Sequence, residues 1–246
     1  MTVVIFTGPT LAADKAKTVL DADYRPPAAQ GDIYRAALQD PKVIGIIDGY
    51  FERVPSVWHK EILWSMSRGI HMFGSASMGA LRAAELDAFG MEGVGRIFDA
   101  YRDGALEDDD EVAVVHASAE FGFRPGSDAM VDIRATIARA VEAGVLSAAT
   151  GAAFERLAKD MFYAQRNYQA IARRALETGL PNAEISALLD WLPDHRFSQK
   201  RADALAMLQT IRQRVENGIE PKRVMYAFEH TSNWEQASRL RTPIDS

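Results

Sequence analysis

The stretch that decides the fold is "IHMFGSASMGALRAAEL", from Ile70 to Leu86. Its first residues form a short apolar run that predicts a buried strand. Its second half is rich in Ala and Leu, which predicts a helix. The turn Ser77-Met78-Gly79 joins the two, so the sequence here reads strand, tight turn, helix, as in the crossover units of α/β proteins. The turn is either a reactive site or only a bend.

Two more apolar runs precede this unit and also predict buried strands: "TVVIF", Thr2 to Phe6, and "KVIGIID", Lys42 to Asp48. Helical segments separate the three runs. We therefore predict an α/β fold, a Rossmann-like parallel sheet with flanking helices. Such sheets bind ligands beyond the carboxyl ends of their strands. Three loops rich in glycine and hydroxyl groups are expected at that edge: Thr7–Thr10, Asp48–Ser56 and Gly74–Gly79.

Beyond the acidic run "EDDDE" and the β-branched run "EVAVVH", which we interpret as a strand ending at His116, the pattern becomes almost entirely helical. The predicted boundary lies near Gly126. It separates an α/β core domain, residues 1–126, from an all-helical C-terminal region, residues 127–246.

Composition excludes several classes of protein. The 246 residues include no cysteine, so disulfides, thiolate nucleophiles and cysteine metal sites are excluded. The net charge of −6 argues against nucleic-acid binding. The N-terminal residues lack a signal-peptide pattern, and no apolar run approaches the roughly 20 residues that a membrane span needs. We expect a soluble cytoplasmic protein that binds neither membrane nor nucleic acid.

A set of ordered motifs resembles the TfuA-like family: "IGIIDGYFERVPSVWHKEIL", "GSASMGALRAAEL", "GMEGVGRIFDAY" and "LEDDDEVAVVH". The resemblance covers most of Val3 to Arg139. It implies partnership with a YcaO-type cyclodehydratase, which uses ATP to activate a backbone amide that then receives sulfur. The product is a thioamide in a ribosomally made peptide or protein.

The activity that the resemblance implies is hydrolysis of a thiocarboxylated, ubiquitin-like sulfur carrier (ThiS-like), with release of sulfide near the YcaO enzyme. No cofactor and no metal are expected. The alternative is a non-catalytic adaptor that recruits the carrier to the YcaO enzyme or activates that enzyme. A small-molecule or nucleotide-binding protein is a third hypothesis, and self-association into a homo-oligomer stays open.

Ser77 is the predicted nucleophile. Hydrolysis needs an attacking oxygen and hydrogen-bond donors for the oxyanion, and a helix N-terminus supplies free N–H groups there. The order strand, Ser-x-Gly, helix is that of a nucleophile elbow, although Ser75 stands where the elbow has glycine. The alternative is that Ser77 or Ser75 only caps the helix, while Gly79 lets it pack closely on the sheet.

His59 is the predicted base, because its helix follows the Asp48 loop at the same sheet edge. His116 stays open as another base, and the alternative for His59 is a half-buried helix residue without a chemical role. Asp48 is expected to orient His59 or to activate water; the alternative for Asp48 is an Asp-Gly turn. Attack by the serine and attack by water both stay open. The predicted substrate-binding residues are Gly8, Thr10, Tyr50, Lys60, Ser75, Met78, Gly79 and Arg82.

Three further patterns carry weaker predictions. The Gly8–Thr10 loop can form an anion-binding nest. Arg82 and Glu85, three residues apart, predict a surface ion pair, although Arg82 is also suited to a planar anion. The acidic run Glu107–Glu111 is either a cation site, a solvated turn or a docking surface for a basic partner.

Overall fold

A computed structural model describes residues 2–51 and 54–239. Its sheet has five parallel strands in the order β2-β1-β3-β4-β5. The strands are β1 Val3–Phe6, β2 Asp23–Arg25, β3 Val43–Ile46, β4 His71–Ser75 and β5 Glu92–Val94. The α/β class, the parallel sheet near the N-terminus and the helical C-terminal region are confirmed. The sequence prediction missed β2 and β5, which have only three residues each and no apolar run.

Helices alternate with these strands and then dominate the chain. Those between and after the strands are α1 Ala13–Lys17, α2 Asp32–Ala37, α3 His59–Ser67, α4 Met78–Leu86 and α5 Arg96–Arg102. The later ones are α6 Met130–Glu142, α7 Ala148–Lys159, α8 Tyr168–Glu177, α9 Asn182–His195, α10 Gln199–Glu216 and α11 Ser232–Arg239.

The sheet is buried on both faces, which explains why its central strands are continuously apolar. On one face, Ile5 and Phe73 pack in a cluster with side chains of α10, including Met207 and Ile211. On the other face α4 lies directly on β3 and β4. A helix from far along the chain therefore completes the core of the sheet.

The chain divides into two compact units. One contains the residues up to Glu107 and those from Arg201 onward, and the other contains Asp108–Lys200. The second unit has its own core, formed by α6 to α9 around residues such as Ile133, Phe154 and Ile171. The sequence instead groups residues 201–246 with the helical region, and a domain boundary near Gly126 stays a prediction.

Several local assignments need correction. The stretch "PSVWHKEILWSMSRG" predicts a helix with Pro55 near its start and Gly69 near its end, but the helix begins at His59, and Trp58 before it has an extended backbone. The run "EVAVVH" is not a strand: residues Asp109–Glu111 form a 3₁₀ turn, and His116 makes one isolated bridge, to Pro125. Only the first three residues of this run, Glu111, Val112 and Ala113, are buried, so the run lacks the continuous burial of a core strand.

Among the residues that the structure describes, no helix is both long enough and apolar enough to span a membrane.

Candidate functional site

The strand order places the reversal of the sheet between β1 and β3. In open parallel sheets, ligands bind in the crevice outside the carboxyl ends of the strands at such a reversal. The loops that follow β1 and β3 meet there. Asp48, which comes just after β3, lies against the loop Gly8–Thr10 that follows β1.

The carboxylate of Asp48 is bound by the Gly8–Thr10 loop. Oδ2 accepts the backbone N–H of Gly8 at 2.8 Å and that of Thr10 at 3.0 Å, while Oδ1 accepts the Thr10 hydroxyl at 2.6 Å. The side chain is 1% exposed. The Gly8–Thr10 loop is therefore an anion-binding nest, and the anion that it binds is Asp48. No hydrogen bond among the described residues joins Asp48 to His59.

The Ser77 turn has unusual backbone geometry. Ala76 has a φ of +66°, which is uncommon for a residue other than glycine, and Ser77 has φ −123° and ψ −127°. Ser77 stands at the N-cap of α4 but makes no capping bond with its side chain. The expectation that Ser77 caps the helix is therefore not met, and the Ser75 hydroxyl instead donates to the Val94 carbonyl at 2.7 Å.

Two donors at this turn have no partner in the described part of the chain: the Ser77 hydroxyl and the Met78 N–H. Ser77 is 3% exposed, yet no buried side-chain oxygen of the described residues lacks a hydrogen bond. The Ser77 hydroxyl is thus the part of the residue that reaches solvent. A hydroxyl and the N–H of the next residue, neither of them used by another described group, stand at the start of α4, where Met78 as a whole is 1% exposed.

The close approach of α4 to the sheet depends on two glycines. A Cβ at Gly79 would lie 1.7 Å from the Ile46 carbonyl oxygen, and one at Gly74 would lie 2.1 Å from the Gly79 oxygen. Only glycine fits at these positions. The predicted role of Gly79 in packing is met, and this packing fixes where the Ser77 turn sits above β3 and β4.

His59, the first residue of α3, pairs with Glu85 of α4: its Nε2 lies 2.7 Å from Oε2 of that carboxylate. The same Oε2 accepts Nη1 of Arg82 at 2.6 Å. Burial opposes ionisation of Glu85, but the hydrogen bond from His59 and the positive charge and hydrogen bond of Arg82 outweigh it and hold the pKa of Glu85 below its ordinary value. Glu85 is therefore ionised at neutral pH.

Arg82 is a buried clamp rather than half of a surface ion pair. Besides Glu85, its Nε donates to the Val57 carbonyl at 2.9 Å, and its Nη2 lies 3.4 Å from the Ser56 hydroxyl. These contacts hold the extended segment that precedes His59. Ser77 itself is eight residues before Glu85, about 12 Å along the helix axis, and no hydrogen bond joins Ser77 to His59 in the described residues.

Two further residues that are predicted to bind substrate, Tyr50 and Lys60, contact other parts of the chain. Tyr50 donates its backbone N–H to the Ala28 carbonyl at 3.0 Å, and burial together with the charge of Asp32 raises the pKa of its phenol. Lys60 points to the C-terminal segment, where its ammonium donates to the Thr231 hydroxyl at 3.0 Å and lies over the Phe228 ring. Residues 52 and 53 of the predicted Asp48–Ser56 loop lie outside the described residues.

The acidic run after Gly104 is an ion-pair cluster of the second unit. Asp110 accepts hydrogen bonds from Lys159 and from the fully buried Arg166, and Glu111 accepts Arg134 at 3.0 Å. No group of three His, Asp or Glu side chains is arranged for metal binding in the described ranges. The end of the run, Asp110 and Glu111, is neutralised internally, while residues 107–109 are exposed to solvent.

Two buried carboxylates were not singled out from the sequence. Glu61 accepts the N–H groups of Gly31 at 2.6 Å and Tyr34 at 3.2 Å, at the start of α2. Asp203 of α10 accepts the Ile97 N–H at 2.8 Å, at the start of α5. The only local signal was an acidic residue beside apolar ones, as in Glu61-Ile62. Asp48, Glu61 and Asp203 therefore each accept backbone N–H groups along this edge of the sheet.

Residues 48–167 match the family model described as TfuA-like protein. The matched segment includes Asp48, His59, Ser77 and Glu85, while Gly8 and Thr10 precede it. A comparison with curated proteins finds no match. The resemblance to the TfuA-like family that the sequence motifs indicate is confirmed over residues 48–167.

Proposed function

We propose that this TfuA-like chain hydrolyses a thiocarboxylated, ubiquitin-like sulfur carrier and thereby delivers sulfide to a YcaO-type enzyme for backbone thioamidation. The family match supports an accessory role in thioamide-related biosynthesis. The observation that carries the finer proposal is the Ser77 turn, where an unpartnered hydroxyl and the unpartnered Met78 N–H lie together at a helix start.

The reaction converts R–COS⁻ and water into R–COO⁻, HS⁻ and a proton. In the serine route, the Ser77 oxygen attacks the thiocarboxylate carbon and gives its proton to a base. The C–S bond then breaks, sulfide leaves, and water hydrolyses the resulting ester to regenerate the hydroxyl. In the water route, water attacks the carbon directly. In both routes the Met78 N–H and the partial positive charge of the helix start stabilise the oxyanion.

His59 is the proposed base. A neutral imidazole accepts a proton near neutral pH, and this one stands at the same edge of the sheet as the Ser77 turn. Because about 12 Å of helix separates Ser77 from the carboxylate that His59 contacts, one water molecule is too short to connect them, and in this proposal the proton passes along a chain of water molecules to the ring.

Asp48 has a positioning role in this proposal. Its carboxylate oxygens are bound by Gly8 and Thr10, so it shapes the loop next to the site and does not orient His59. The internal occupation of the Gly8–Thr10 nest also argues against the hypothesis of a nucleotide-binding protein, since the most suitable phosphate-binding loop already holds a carboxylate.

The adaptor remains the second candidate because no hydrogen bond among the described residues connects Ser77, His59 and Asp48. The deciding experiment incubates the isolated protein with the thiocarboxylated carrier and measures sulfide. We expect release by the wild type and a loss of at least about 100-fold in Ser77→Ala, the range of a lost catalytic group.

Ser65→Ala is the matched control. Ser65 is also buried, but its hydroxyl donates to the Glu61 carbonyl within α3, so release should stay near the wild-type rate. If the wild type releases no sulfide but forms a complex with the carrier or the YcaO enzyme, the chain is an adaptor. If Ser77→Ala releases sulfide at the wild-type rate, the serine route is wrong and attack is by water.

A further inference from the structure

We infer that Glu85 is a positioning residue that fixes the tautomer of His59, so that Nδ1 of the ring is the atom that accepts the proton. This inference deepens the proposed function and rests on it for the role of the ring. It replaces Asp48, which the sequence indicates as the partner of His59, with a carboxylate on a different element.

The geometry assigns the proton on the ring. Nε2 of His59 lies 2.7 Å from a carboxylate oxygen, and an ionised carboxylate only accepts hydrogen bonds. Nε2 must therefore carry the hydrogen. In the neutral ring the other nitrogen, Nδ1, is then an unprotonated acceptor, and it has no hydrogen bond within the described part of the chain. The side chain of His59 is 42% exposed, so water and substrate can reach it.

The carboxylate is itself held in place. Arg82 donates to the same oxygen of Glu85 at 2.6 Å and to the Val57 carbonyl at 2.9 Å. The Arg82 side chain is only 10% exposed, and its two contacts link α4 to the segment just before His59. One buried guanidinium therefore fixes the position of the carboxylate and of the residues that carry the ring.

Two other charged residues that the sequence indicates for this site, Lys60 and Asp48, have partners other than the His59 ring. Lys60, the neighbour of His59, is directed to Thr231 and Phe228. Asp48 is bound by Gly8 and Thr10. Among the charged side chains with a described contact to this ring, Glu85 is the partner and Arg82 supports it through Glu85.

The test is nitrogen NMR of the histidine rings in the full chain, recorded near pH 8, where an ordinary imidazole is neutral. Long-range ¹H–¹⁵N spectra report which ring nitrogen carries the proton, and His59→Gln identifies the His59 signals among the five histidines. We expect the proton on Nε2 in the wild type. Glu85→Gln should give a mixture of the two tautomers and lower sulfide release about 10- to 100-fold, the range typical of carboxylates that orient a metal-bound histidine.

Glu92→Gln is the matched control, because Glu92 contacts His71 at 3.1 Å and also accepts Arg214 and Lys222. It removes an equivalent carboxylate and should leave the His59 signals and the release rate unchanged. A proton on Nδ1 in the wild type, or an unchanged His59 spectrum in Glu85→Gln, overturns the inference. If the wild type releases no sulfide, the proposed function fails, but the spectra still decide the tautomer.

Discussion

At the scale of single residues, backbone N–H groups at the edge of the sheet bind carboxylates of this same chain. In other α/β proteins, such N–H groups often bind a ligand. Asp48, Glu61 and Asp203 are each at most 3% exposed and each accept backbone N–H groups at the sheet edge. A buried carboxylate is stable only when such donors compensate for lost hydration. The Ser77 turn differs from these sites because its donors are not used by another side chain.

The first prediction concerns Asp48. Replacing it with Asn keeps the shape but leaves one acceptor oxygen in place of two for the three donors that Asp48 binds, which are the Gly8 and Thr10 N–H groups and the Thr10 hydroxyl. We expect Asp48→Asn to lower the free energy of unfolding by about 1–3 kcal/mol in urea titrations. Asp40→Asn is the control, since the Asp40 side chain is 75% exposed in its pair with Arg68 and should change little. Unchanged stability with lost sulfide release would show instead that Asp48 takes part in the chemistry.

The second prediction concerns pH. Burial opposes ionisation of Asp110, but Lys159 and Arg166 outweigh it and hold its pKa below the ordinary 3.8. A depressed pKa means that Asp110 stabilises the fold above pH 3.8 and that this contribution is lost as the pH falls through the folded-state value. We expect wild type to be more stable than Asp110→Asn at pH 7 and the difference to shrink below pH 3.8. Urea unfolding at a series of pH values tests it; a constant difference contradicts it.

At the scale of elements, the contact of α4 with β3 and β4 places the candidate site. Gly74 and Gly79 face each other across this contact, and no side chain fits between the helix and the strands. The contact in turn brings Arg82 and Glu85 beside the first turn of α3. The position of His59 and the position of the Ser77 turn therefore depend on the same helix.

The third prediction tests this contact. In Gly79→Ala the new Cβ would meet the rigid Ile46 backbone at 1.7 Å, so α4 must move away from the sheet. We expect a loss of more than about 3 kcal/mol of unfolding free energy, or no folded protein. In the control Gly126→Ala the nearest atom is a Val115 side-chain carbon at 3.3 Å, and the loss should be below about 1 kcal/mol. Equal losses in the two variants would contradict the role of the contact.

At the scale of the whole molecule, the chain divides into two compact units at positions that differ from the composition change near Gly126. The unit Asp108–Lys200 begins with the acidic run and contains the ion pairs of Asp110 and Glu111. Arg166 is fully buried and bonds both the carboxylate and the carbonyl of Asp110. A fragment that starts at residue 127 would leave this guanidinium without two of its partners.

The fourth prediction follows from that cluster. We expect residues 108–200 to fold alone as a helical unit with a cooperative urea transition. Residues 127–200 should be less stable by about 3 kcal/mol or more, because removing one partner leaves a buried charge uncompensated. Far-UV circular dichroism during urea unfolding measures both. Equal stability of the two fragments would favour the boundary predicted near Gly126.

Local periodicity accounts for what the sequence predicted well. Each of these elements, β1, β3, β4 and α4, contains four to nine residues. Over that length, the spacing of the apolar residues indicates which side chains are buried. β2 and β5 were missed because three mixed residues carry no such pattern. The packing of α10 on the sheet was also not predicted. A periodic pattern indicates that a segment is a helix, but not which surface that helix covers.

By itself, the sequence determined the α/β class, the parallel order of the apolar strands, the polar turn at Ser77 and the TfuA-like motifs. Only the tertiary structure decided which charges meet. Asp48 binds a loop some 40 residues before it, and His59 pairs with Glu85, 26 residues after it. A hydrogen bond depends on distance and direction in three dimensions, and side chains so far apart in the chain are brought together only when helix and sheet pack.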